Sequence, residues 1–289
     1  MKISLLSSSY FDRANFNNFG YKVDWANIYC EGTNSCPKKI SQSIRSSDLV
    51  LIIEPNLFKQ QLALSIANCS KKPVISANHA AISVLHDQDL MFRYLGAGND
   101  HSSRLLMKKK FARNEAPKLS DNKYGYFVSC NEDGKKIPEL VRLAPGEDNI
   151  NAKIASEVNS SFSRYAPSKQ HSLFISPKFG DDQICLFYTQ RGKINPIGIT
   201  NFKDYFSLDQ STAEEAMHFA KPIANKIEVL DSNIEVLRIY LSKDDLGDFQ
   251  LVNARCDFPP LNDPEFNFAL DQSGMTIKDF MKSVIENYD

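Results

Sequence analysis

The stretch DLVLIIEPNLFKQQLALSIANCSKKPVIS, residues 48–76, decides the fold of the first third of the chain. Asp48 to Ile53 is a nearly continuous apolar run, which is typical of a strand buried on both faces. Leu57 to Ala67 has apolar residues at helical spacing, and Pro73 to Ser76 is another short apolar run. Strands of this kind that alternate with helices predict a parallel sheet covered on both faces, that is, a Rossmann-like α/β layer.

Segments on both sides extend this layer. Lys2 to Ser7 is a further predicted strand, and the region contains no GxGxxG motif, which argues against a dinucleotide-binding phosphate loop. Asn78 to Leu95 is predicted as one amphipathic helix or a pair of helices, ended by the flexible residues Gly96 to Asn99. We place a domain boundary there, which gives a Rossmann-like domain over residues 1–98 and a second domain over residues 99–289.

The second domain contains two predicted β-hairpins after a series of short strands and a helix-compatible segment. The first hairpin joins Gln183–Gln190 to Lys193–Thr200 through a tight turn. The second joins VLRIYLS, residues 236–242, to FQLVN, residues 249–253, through a polar turn.

Two helices are predicted around the second hairpin. One covers Thr212 to Ile227, with Ser211 or Thr212 as its N-cap. The other is a capped helix from Thr276 to Asn287, and the acidic residues that precede it, Asp263, Glu265 and Asp271, are predicted to be loop surface.

Composition restricts the class of protein. Of the 289 residues, 42% are hydrophobic, which is enough to bury a globular core. The 34 Lys and Arg residues are balanced by 35 Asp and Glu residues, and the net charge of -1 argues against nucleic acid as a partner. No stretch reaches the roughly 20 consecutive apolar residues of a membrane-spanning helix, and the N-terminus lacks a signal-peptide pattern. We expect a cytoplasmic protein without a membrane partner.

Cysteine and histidine residues are scattered along the chain. The six Cys residues form no CxxC pair, so neither a zinc site nor a disulfide framework is expected, although Cys30 and Cys36 are close enough in the sequence to bridge. Cys185 lies in a strand-like run, where buried inert thiols are common. His79 and His86 share a face of one predicted helix and are expected to be packed or solvated rather than metal ligands.

The order of elements over nearly the whole chain resembles the ATP-grasp superfamily, in particular the ATP-dependent carboxylate–amine ligases, which include the tyramine–glutamate ligases. The resemblance implies a Rossmann-like layer followed by two α/β subdomains that hold ATP in a cleft between them. It also implies ATP and Mg²⁺ as cofactors and a small-molecule carboxylate and amine as substrates. In the helix after the first layer, Asp87 stands at the acidic position of the family, but Gln88 replaces the usual Lys.

The segment LVRLAPGEDN, residues 140–149, resembles the phosphate-contacting strand and loop of the family. Arg142 stands where the family has a Lys, and Gly146 lies in the loop that covers the phosphates. Arg142 keeps a cation that binds phosphate, although its planar fork is not equivalent to an ammonium group. The alternative is that Arg142 pairs with Glu147 or Asp148.

The segment LFISPKFGDD, residues 173–182, resembles the adenine-binding hinge. Ser176 replaces a Glu of the family, and Pro177 has no N–H to donate to adenine. Lys178 and Asp181 keep the polarity of the turn, and the resemblance assigns both to nucleotide binding. The alternative is that the segment is a plain hairpin edge.

The acids that hold magnesium in the family lie on two neighbouring strands, and both are replaced in this chain. On the strand that resembles VLRIYL, the acid is replaced by Tyr240, or by Ile239 or Arg238 if the alignment shifts. On the returning strand LVNAR, Leu251 replaces a Glu and Asn253 is retained.

The retained residues of this motif are Asn253, which the resemblance makes a metal ligand, and Arg255, which it makes catalytic. Mg²⁺ requires several hard oxygen ligands in a near-octahedral array, so one amide is insufficient. Compensation by Asp244, Asp245 or Asp257 is the alternative to a lost metal site.

These replacements leave two functional hypotheses. The first is a pseudo-enzyme, a non-catalytic subunit that forms a homo- or hetero-oligomer with an active biosynthetic ligase paralogue. The second is an active ATP-dependent carboxylate–amine ligase that forms an acyl phosphate at a rearranged metal site, with Arg142 and Arg255 stabilising the transferring phosphoryl group. We favour the first, because the hinge Glu, the strand acid and the returning Glu are all replaced.

Overall fold

The computed structural model describes residues 1–28, 36–54, 57–96, 109–111, 126–130, 139–141, 156, 173–177, 183–189, 195–201, 208–243 and 246–288. Its helices are α1 (Tyr10–Asn18), α2 (Cys36–Arg45), α3 (Leu57–Cys69), α4 (His79–His86), α5 (Gln88–Gly96), α6 (Gln210–Glu228), α7 (Pro264–Gln272) and α8 (Ile277–Glu286). Its strands are β1 (Lys2–Ser7), β2 (Lys22–Asn27), β3 (Leu49–Ile53), β4 (Val74–Ile75), β5 (Lys109–Phe111), β6 (Tyr126–Cys130), β7 (Glu139–Val141), β8 (Leu173–Pro177), β9 (Gln183–Thr189), β10 (Asn195–Asn201), β11 (Leu237–Lys243) and β12 (Phe249–Arg255).

The first layer is a parallel four-stranded sheet with the strand order β2-β1-β3-β4. Every residue of β3 is buried, as its uninterrupted apolar sequence predicts, so the expected Rossmann-like layer is confirmed. The apolar pattern does not predict β2, because Lys22 and Asp24 interrupt it. This strand lies at the edge of the sheet, where charged side chains remain in contact with water.

Two short helices, α4 and α5, follow this layer, so the helix-pair alternative is the one observed. The helical conformation is interrupted at Asp87, whose backbone is extended. The pair is held against the C-terminal part of the chain by several hydrogen bonds, which include bonds from Asn78 and Tyr94. The backbone N–H of Asn78 donates to Asp231 (2.6 Å), and the hydroxyl of Tyr94 donates to the carbonyl of Lys226 (2.9 Å).

A second sheet is antiparallel, with the order β5-β8-β6-β7. The hinge-like segment forms β8, which pairs with β5 on one side and β6 on the other. The interpretation of this segment as a hairpin edge is therefore wrong. The reason is that β5 contains the basic residues Lys109 and Lys110, which do not have the sequence pattern of a strand and yet complete the pairing.

The third sheet is also antiparallel, with the order β10-β9-β11-β12, and both predicted hairpins are confirmed. The helix α6 packs against β9 and β11. Its N-cap is Asp209, whose carboxylate accepts a hydrogen bond from the N–H of Thr212 (2.9 Å). The expected N-cap at Ser211 or Thr212 is wrong because Asp209 offers an equally good capping oxygen one turn earlier.

The chain ends in α7 and α8, and two of the acidic residues expected to be loop surface, Asp263 and Glu265, are buried instead. Asp271 is exposed, as expected, but it lies in α7 rather than in a loop. Asp263 is buried, and its carboxylate caps α7 by accepting hydrogen bonds from the N–H groups of Glu265 (3.1 Å) and Phe266 (3.3 Å). Pro264, at the first helical position, favours this start. The N-cap of α8 is Thr276, as predicted.

Two buried apolar clusters join the layers. One contains Val50 of the first sheet and Leu241 of the third, and the other contains Leu5 of β1 and Phe266 of α7. The predicted domain boundary at residue 98 lies outside the described residues and stays a prediction. Among the described helices, none combines the length and the apolar character that crossing a bilayer requires.

Candidate functional site

The two strands that resemble the metal-binding strands of the family pair directly, and their register decides where the key side chains point. Tyr240 on β11 stands opposite Asn253 on β12. The register then shifts by one residue, so that Leu241 stands opposite Leu251. This shift is a β-bulge at Val252.

The bulge separates Leu251 and Asn253. Residues opposite each other in an antiparallel pair lie on the same face, whereas consecutive residues alternate between faces. Asn253 therefore lies on the face of Tyr240, and Leu251 lies on the other face with Leu241. Both leucines are fully buried in the apolar cluster that includes the α6 residues Ala220 and Ala224. A Glu at position 251 would therefore not share a face with Asn253.

Next to Tyr240 and Asn253 lies a buried cluster of charged side chains centred on Asp257. Arg238 donates from Nη2 to Asp257 Oδ2 (2.5 Å), and Arg255 donates from Nε to Asp257 Oδ1 (2.8 Å). Arg238 is completely buried, at 0% exposure, and its Nη1 lies 3.9 Å from Asp263 Oδ2. The cluster thus links the hairpin β11–β12 to the N-terminus of α7.

The protonation states in this cluster follow from burial and from the neighbouring charges. Burial raises the pKa of Asp257. The guanidinium groups of Arg238 and Arg255 lower it by more than burial raises it, so its pKa lies well below the ordinary value. Burial lowers the pKa of Arg238, and Asp257 more than reverses this, so its pKa lies above the ordinary value. Both groups are therefore charged at neutral pH.

His86, at the end of α4, faces the same carboxylate. Its Nε2 lies 4.0 Å from Asp257 Oδ1, a distance at the limit of an ion pair. Burial and the positive charge of Arg255 lower the pKa of His86 to about 4, against a weaker opposing effect of Asp257. His86 is therefore neutral at pH 7, and the contact is not a salt bridge at that pH. His79, at the other end of the helix, is exposed, so the two histidines do not form a pair.

The residues in this region do not fit a magnesium site. Asp257 is engaged by two arginines, and the side-chain oxygen of Asn253 accepts a hydrogen bond from the N–H of Ala254 (3.0 Å). Asn253 itself is only 7% exposed. In the described part of the chain, no group of three or more His, Cys, Asp or Glu side chains is arranged to hold a metal ion. Compensation by Asp244 or Asp245 concerns residues outside that part.

The predicted site residues divide into two groups. Tyr240, Asn253 and Arg255 lie together on one face of β11 and β12. The nucleotide-contacting predictions lie outside the described residues; they are Arg142, Gly146, Lys178 and Asp181. The assignments of Asn253 to metal binding and of Arg255 to catalysis stay predictions.

Sequence reasoning missed the pairing of Arg238 with Asp257. The family resemblance makes Arg238 only an alternative position for the strand acid, and Asp257 only a compensating metal ligand. The available signal was the spacing, because Arg238 and Tyr240 share a strand face and Asp257 follows Arg255 by two residues.

A second polar cluster lies at the carboxyl ends of the parallel strands β1 and β3, which the sequence analysis did not identify. The strand order changes direction between these two strands, and ligands bind at such positions in open α/β sheets. Asp12 accepts hydrogen bonds from the Ser7 hydroxyl (2.5 Å) and from the N–H of Leu261 (3.0 Å). Burial raises the pKa of Asp12, with a further contribution from the charge of Glu54, whereas both hydrogen bonds lower it.

Comparison with known proteins gives structural matches only. Neither protein-family models nor curated protein sequences match the chain. A D-alanine–D-alanine ligase from Bacillus anthracis complexed with ATP has a TM-score of 0.67 at 12% identity, and the match covers 100% of this chain and 96% of that one.

Two further solved structures support the same fold. The D-alanine–D-alanine ligase from Coxiella burnetii has a TM-score of 0.70 at 12% identity, with 99% and 94% of the two chains covered. The N5-carboxyaminoimidazole ribonucleotide synthetase from Thermotoga maritima has a TM-score of 0.60 at 8% identity, with 98% and 75% covered. These proteins are ATP-grasp carboxylate–amine ligases. At such low identity the similarity shows the fold alone, and the ATP-grasp fold expected from the order of elements is confirmed.

Proposed function

We propose that this chain is a non-catalytic ATP-grasp protein, a pseudo-enzyme that does not carry out Mg²⁺-dependent phosphoryl transfer. The observation that carries the proposal is the engagement of Asp257 by Arg238 and Arg255, beside the Tyr240–Asn253 pair. The carboxylate nearest to Asn253 in the sequence is thereby used for an internal ion pair. The residues present do not fit two Mg²⁺ ions, and we derive no reaction step through the metal.

The charge balance of the cluster supports the same conclusion. The guanidinium groups of Arg238 and Arg255 face the carboxylates of Asp257 and Asp263. Two positive and two negative charges therefore cancel, and the cluster has no net positive charge to offer to a triphosphate. Arg255, which the resemblance makes catalytic, uses its Nε to bind Asp257 rather than a transferring phosphoryl group.

A fold that keeps its shape without its catalytic acids can still act by binding. We propose that the chain serves as a subunit or partner of an active biosynthetic ligase paralogue, in a homo- or hetero-oligomer. The support is the ATP-grasp fold over the whole length of the chain together with the replaced metal acids. Size-exclusion chromatography of the chain mixed with such a paralogue tests this part. A complex is expected, and two separate peaks at micromolar concentrations would contradict it.

The alternative function is an ATP-dependent carboxylate–amine ligase with a rearranged metal site. It is favoured by one observation, the similarity over the full chain to a ligase that was solved with ATP. Under this alternative, Arg142, Gly146, Lys178 and Asp181 would contact the nucleotide, as the family resemblance implies.

Isothermal titration calorimetry with ATP in the presence of MgCl₂, repeated with EDTA, separates the two functions. An ATP-grasp ligase of known activity serves as the positive control. We expect no Mg²⁺-dependent heat of ATP binding and no release of phosphate when amines and carboxylates are added. Mg²⁺-dependent binding with a Kd in the micromolar range, accompanied by phosphate release, would overturn the pseudo-enzyme proposal.

A further inference from the structure

A groove separate from the cluster around Asp257 lies between the C-terminal halves of α2 and α3. It encloses about 550 Å³, a volume in the range of small-molecule sites. Its apolar lining consists of Ile44 of α2 and Ile66 and Cys69 of α3. The polar lining is formed by Ser41, Arg45, Ser65, Ser70 and Lys72.

The groove and the cluster of Ser7 and Asp12 lie at opposite ends of the strands of the first sheet. Arg45 ends α2 four residues before β3 begins, and Lys72 precedes β4 by two residues. Both cations are therefore near the amino ends of the parallel strands. Ser7 lies at the carboxyl end of β1, so a ligand in the groove would be remote from the Ser7–Asp12 cluster.

The charge of this region differs from the balance of the whole chain. Residues 36–47 and 57–73, which include α2, α3 and the segment after α3, contain six basic residues and no Asp or Glu. The six are Lys38, Lys39, Arg45, Lys59, Lys71 and Lys72. The chain as a whole has a net charge of -1. The positive charge is thus concentrated on the side of the sheet that α2 and α3 cover.

The two cations in the groove are Arg45 and Lys72. In the part of the chain that the structure describes, neither Arg45 nor Lys72 lies within salt-bridge distance of an Asp or Glu. A guanidinium and an ammonium that line the same groove are groups that bind phosphoryl oxygens. The hydroxyls of Ser65 and Ser70 are not donors to such a ligand, because they donate to the carbonyls of Gln61 (2.8 Å) and Ala67 (2.5 Å). The backbone carbonyls at the ends of α2 and α3 carry partial negative charge and would weaken binding of a bare anion. Contact with the apolar lining would offset this effect.

We propose that this groove binds a small molecule that carries a phosphoryl group on an apolar body. The phosphoryl group lies between Arg45 and Lys72, and the apolar body covers Ile44, Ile66 and Cys69. The site does not depend on the chemistry at Asp257 and holds for either proposed function.

The thiol of Cys69 provides a direct test, because Cys69 is a free, exposed cysteine in the wall of the groove. Phenyl phosphate is the probe, and inorganic phosphate and benzyl alcohol are the comparison compounds. The rate of alkylation of Cys69 by iodoacetamide is followed by peptide mass spectrometry, which separates this cysteine from the others. We expect phenyl phosphate to slow alkylation of Cys69 at millimolar concentration, and to do so at lower concentration than either comparison compound.

Matched variants distinguish the site from general attraction to a basic surface. The double variant Arg45→Gln/Lys72→Gln is expected to require about tenfold more phenyl phosphate for the same protection, because it loses both charged contacts. The control Lys38→Gln/Lys39→Gln removes two exposed charges from the same helix and is expected to behave like the wild type. Unchanged alkylation at 20 mM phenyl phosphate (about twentyfold above a Kd of about 1 mM) would overturn the proposal. So would equal protection in the Arg45→Gln/Lys72→Gln variant.

Discussion

Tyr240 and Asn253 face each other across neighbouring antiparallel strands, at the position where the ATP-grasp resemblance places a metal-binding acid opposite its amide partner. A phenol cannot replace a carboxylate as a magnesium ligand unless it ionises. Burial raises the pKa of Tyr240 well above its ordinary value, so the side chain stays neutral. The pair therefore preserves the geometry of two facing side chains without the charge that a divalent cation requires.

Restoring the lost acids is not expected to restore metal binding. The double variant Tyr240→Asp/Leu251→Glu places one carboxylate on the face of Asn253 and the other on the opposite face, because of the bulge at Val252. Titration with Mn²⁺, followed by electron paramagnetic resonance, should show no site with a Kd below about 1 mM, the range of weak divalent-cation sites. Tyr240→Phe/Leu251→Met is the control for changed packing. A tight Mn²⁺ site in the Asp/Glu variant alone would refute the assignment of opposite faces.

The ion pair between Arg238 and Asp257 is expected to be costly to break. Asp257→Asn leaves the fully buried guanidinium of Arg238 without its main counter-charge. The free energy of unfolding should fall by about 3–5 kcal/mol, as for other buried pairs that lose one partner. Urea denaturation measures this change.

The control for this experiment is an exposed pair on α8. Lys282 and Glu286 are 3.7 Å apart and largely exposed. Glu286→Gln should therefore change the free energy of unfolding by no more than about 0.5 kcal/mol. If Asp257→Asn were equally mild, the cluster would not hold the hairpin to α7.

The stability of the protein should depend on pH through His86. Its pKa is about 4 in the folded protein and 6.5 when unperturbed, so between these values the unfolded chain binds a proton that the folded chain does not. The free energy of unfolding therefore falls as the pH is lowered through this window, by up to about 3 kcal/mol in total. His86→Gln should remove most of this dependence, as measured by urea denaturation between pH 7 and pH 4.

The exposed His79 is the matched control, because it lies on the same helix. His79→Gln should retain the pH dependence of the wild type. Identical pH dependence in His86→Gln and in the wild type would show that His86 is not responsible. A further loss of stability at still lower pH is expected from Asp257, whose pKa is held below its ordinary value by the two arginines.

Gly198 sets the distance between β10 and α7. A Cβ atom at this position would lie 2.5 Å from the carbonyl oxygen of Ala269, closer than atoms can approach without movement of the backbone. Gly198→Ala should therefore displace α7 and lower the free energy of unfolding by about 1–3 kcal/mol, the usual effect of overpacking. Asn195→Ala, at the exposed start of the same strand, is the control and should be near neutral. A stable Gly198→Ala protein would indicate that α7 moves freely against the sheet.

The elements that the sequence predicts correctly are those with uninterrupted patterns. The apolar run of β3 and the two hairpins of the third sheet have local signals that their environment does not alter. By contrast, β2 and β5 contain charged residues and exist because a neighbouring strand supplies hydrogen bonds, which the local pattern does not reveal. The burial of Asp263 and Glu265 also depends on distant partners, because an acidic stretch normally remains on the surface.

The sequence indicates the positions of the candidate site, but not the strand register or the side-chain contacts there. The resemblance of VLRIYL and LVNAR to the metal-binding strands of the ATP-grasp family points to Tyr240, Leu251 and Asn253. The bulge at Val252 has no signal in the sequence, because a valine within an apolar strand does not indicate whether the strand is regular or bulged at that position. The ion-pair partner of Asp257 could not be predicted either, because Arg238 lies 19 residues earlier in the chain and the contact requires the folded hairpin.

The hydrogen bond from Leu261 to Asp12 spans 249 positions of the chain. During synthesis, the carboxylate of Asp12 therefore lacks this N–H partner until the chain has been extended as far as Leu261. The amino-terminal layer is synthesised early, yet its hydrogen bond from Leu261 forms late. A chain that ended before Leu261 would leave Asp12, at the carboxyl ends of the parallel strands, with the Ser7 hydroxyl but without this backbone partner.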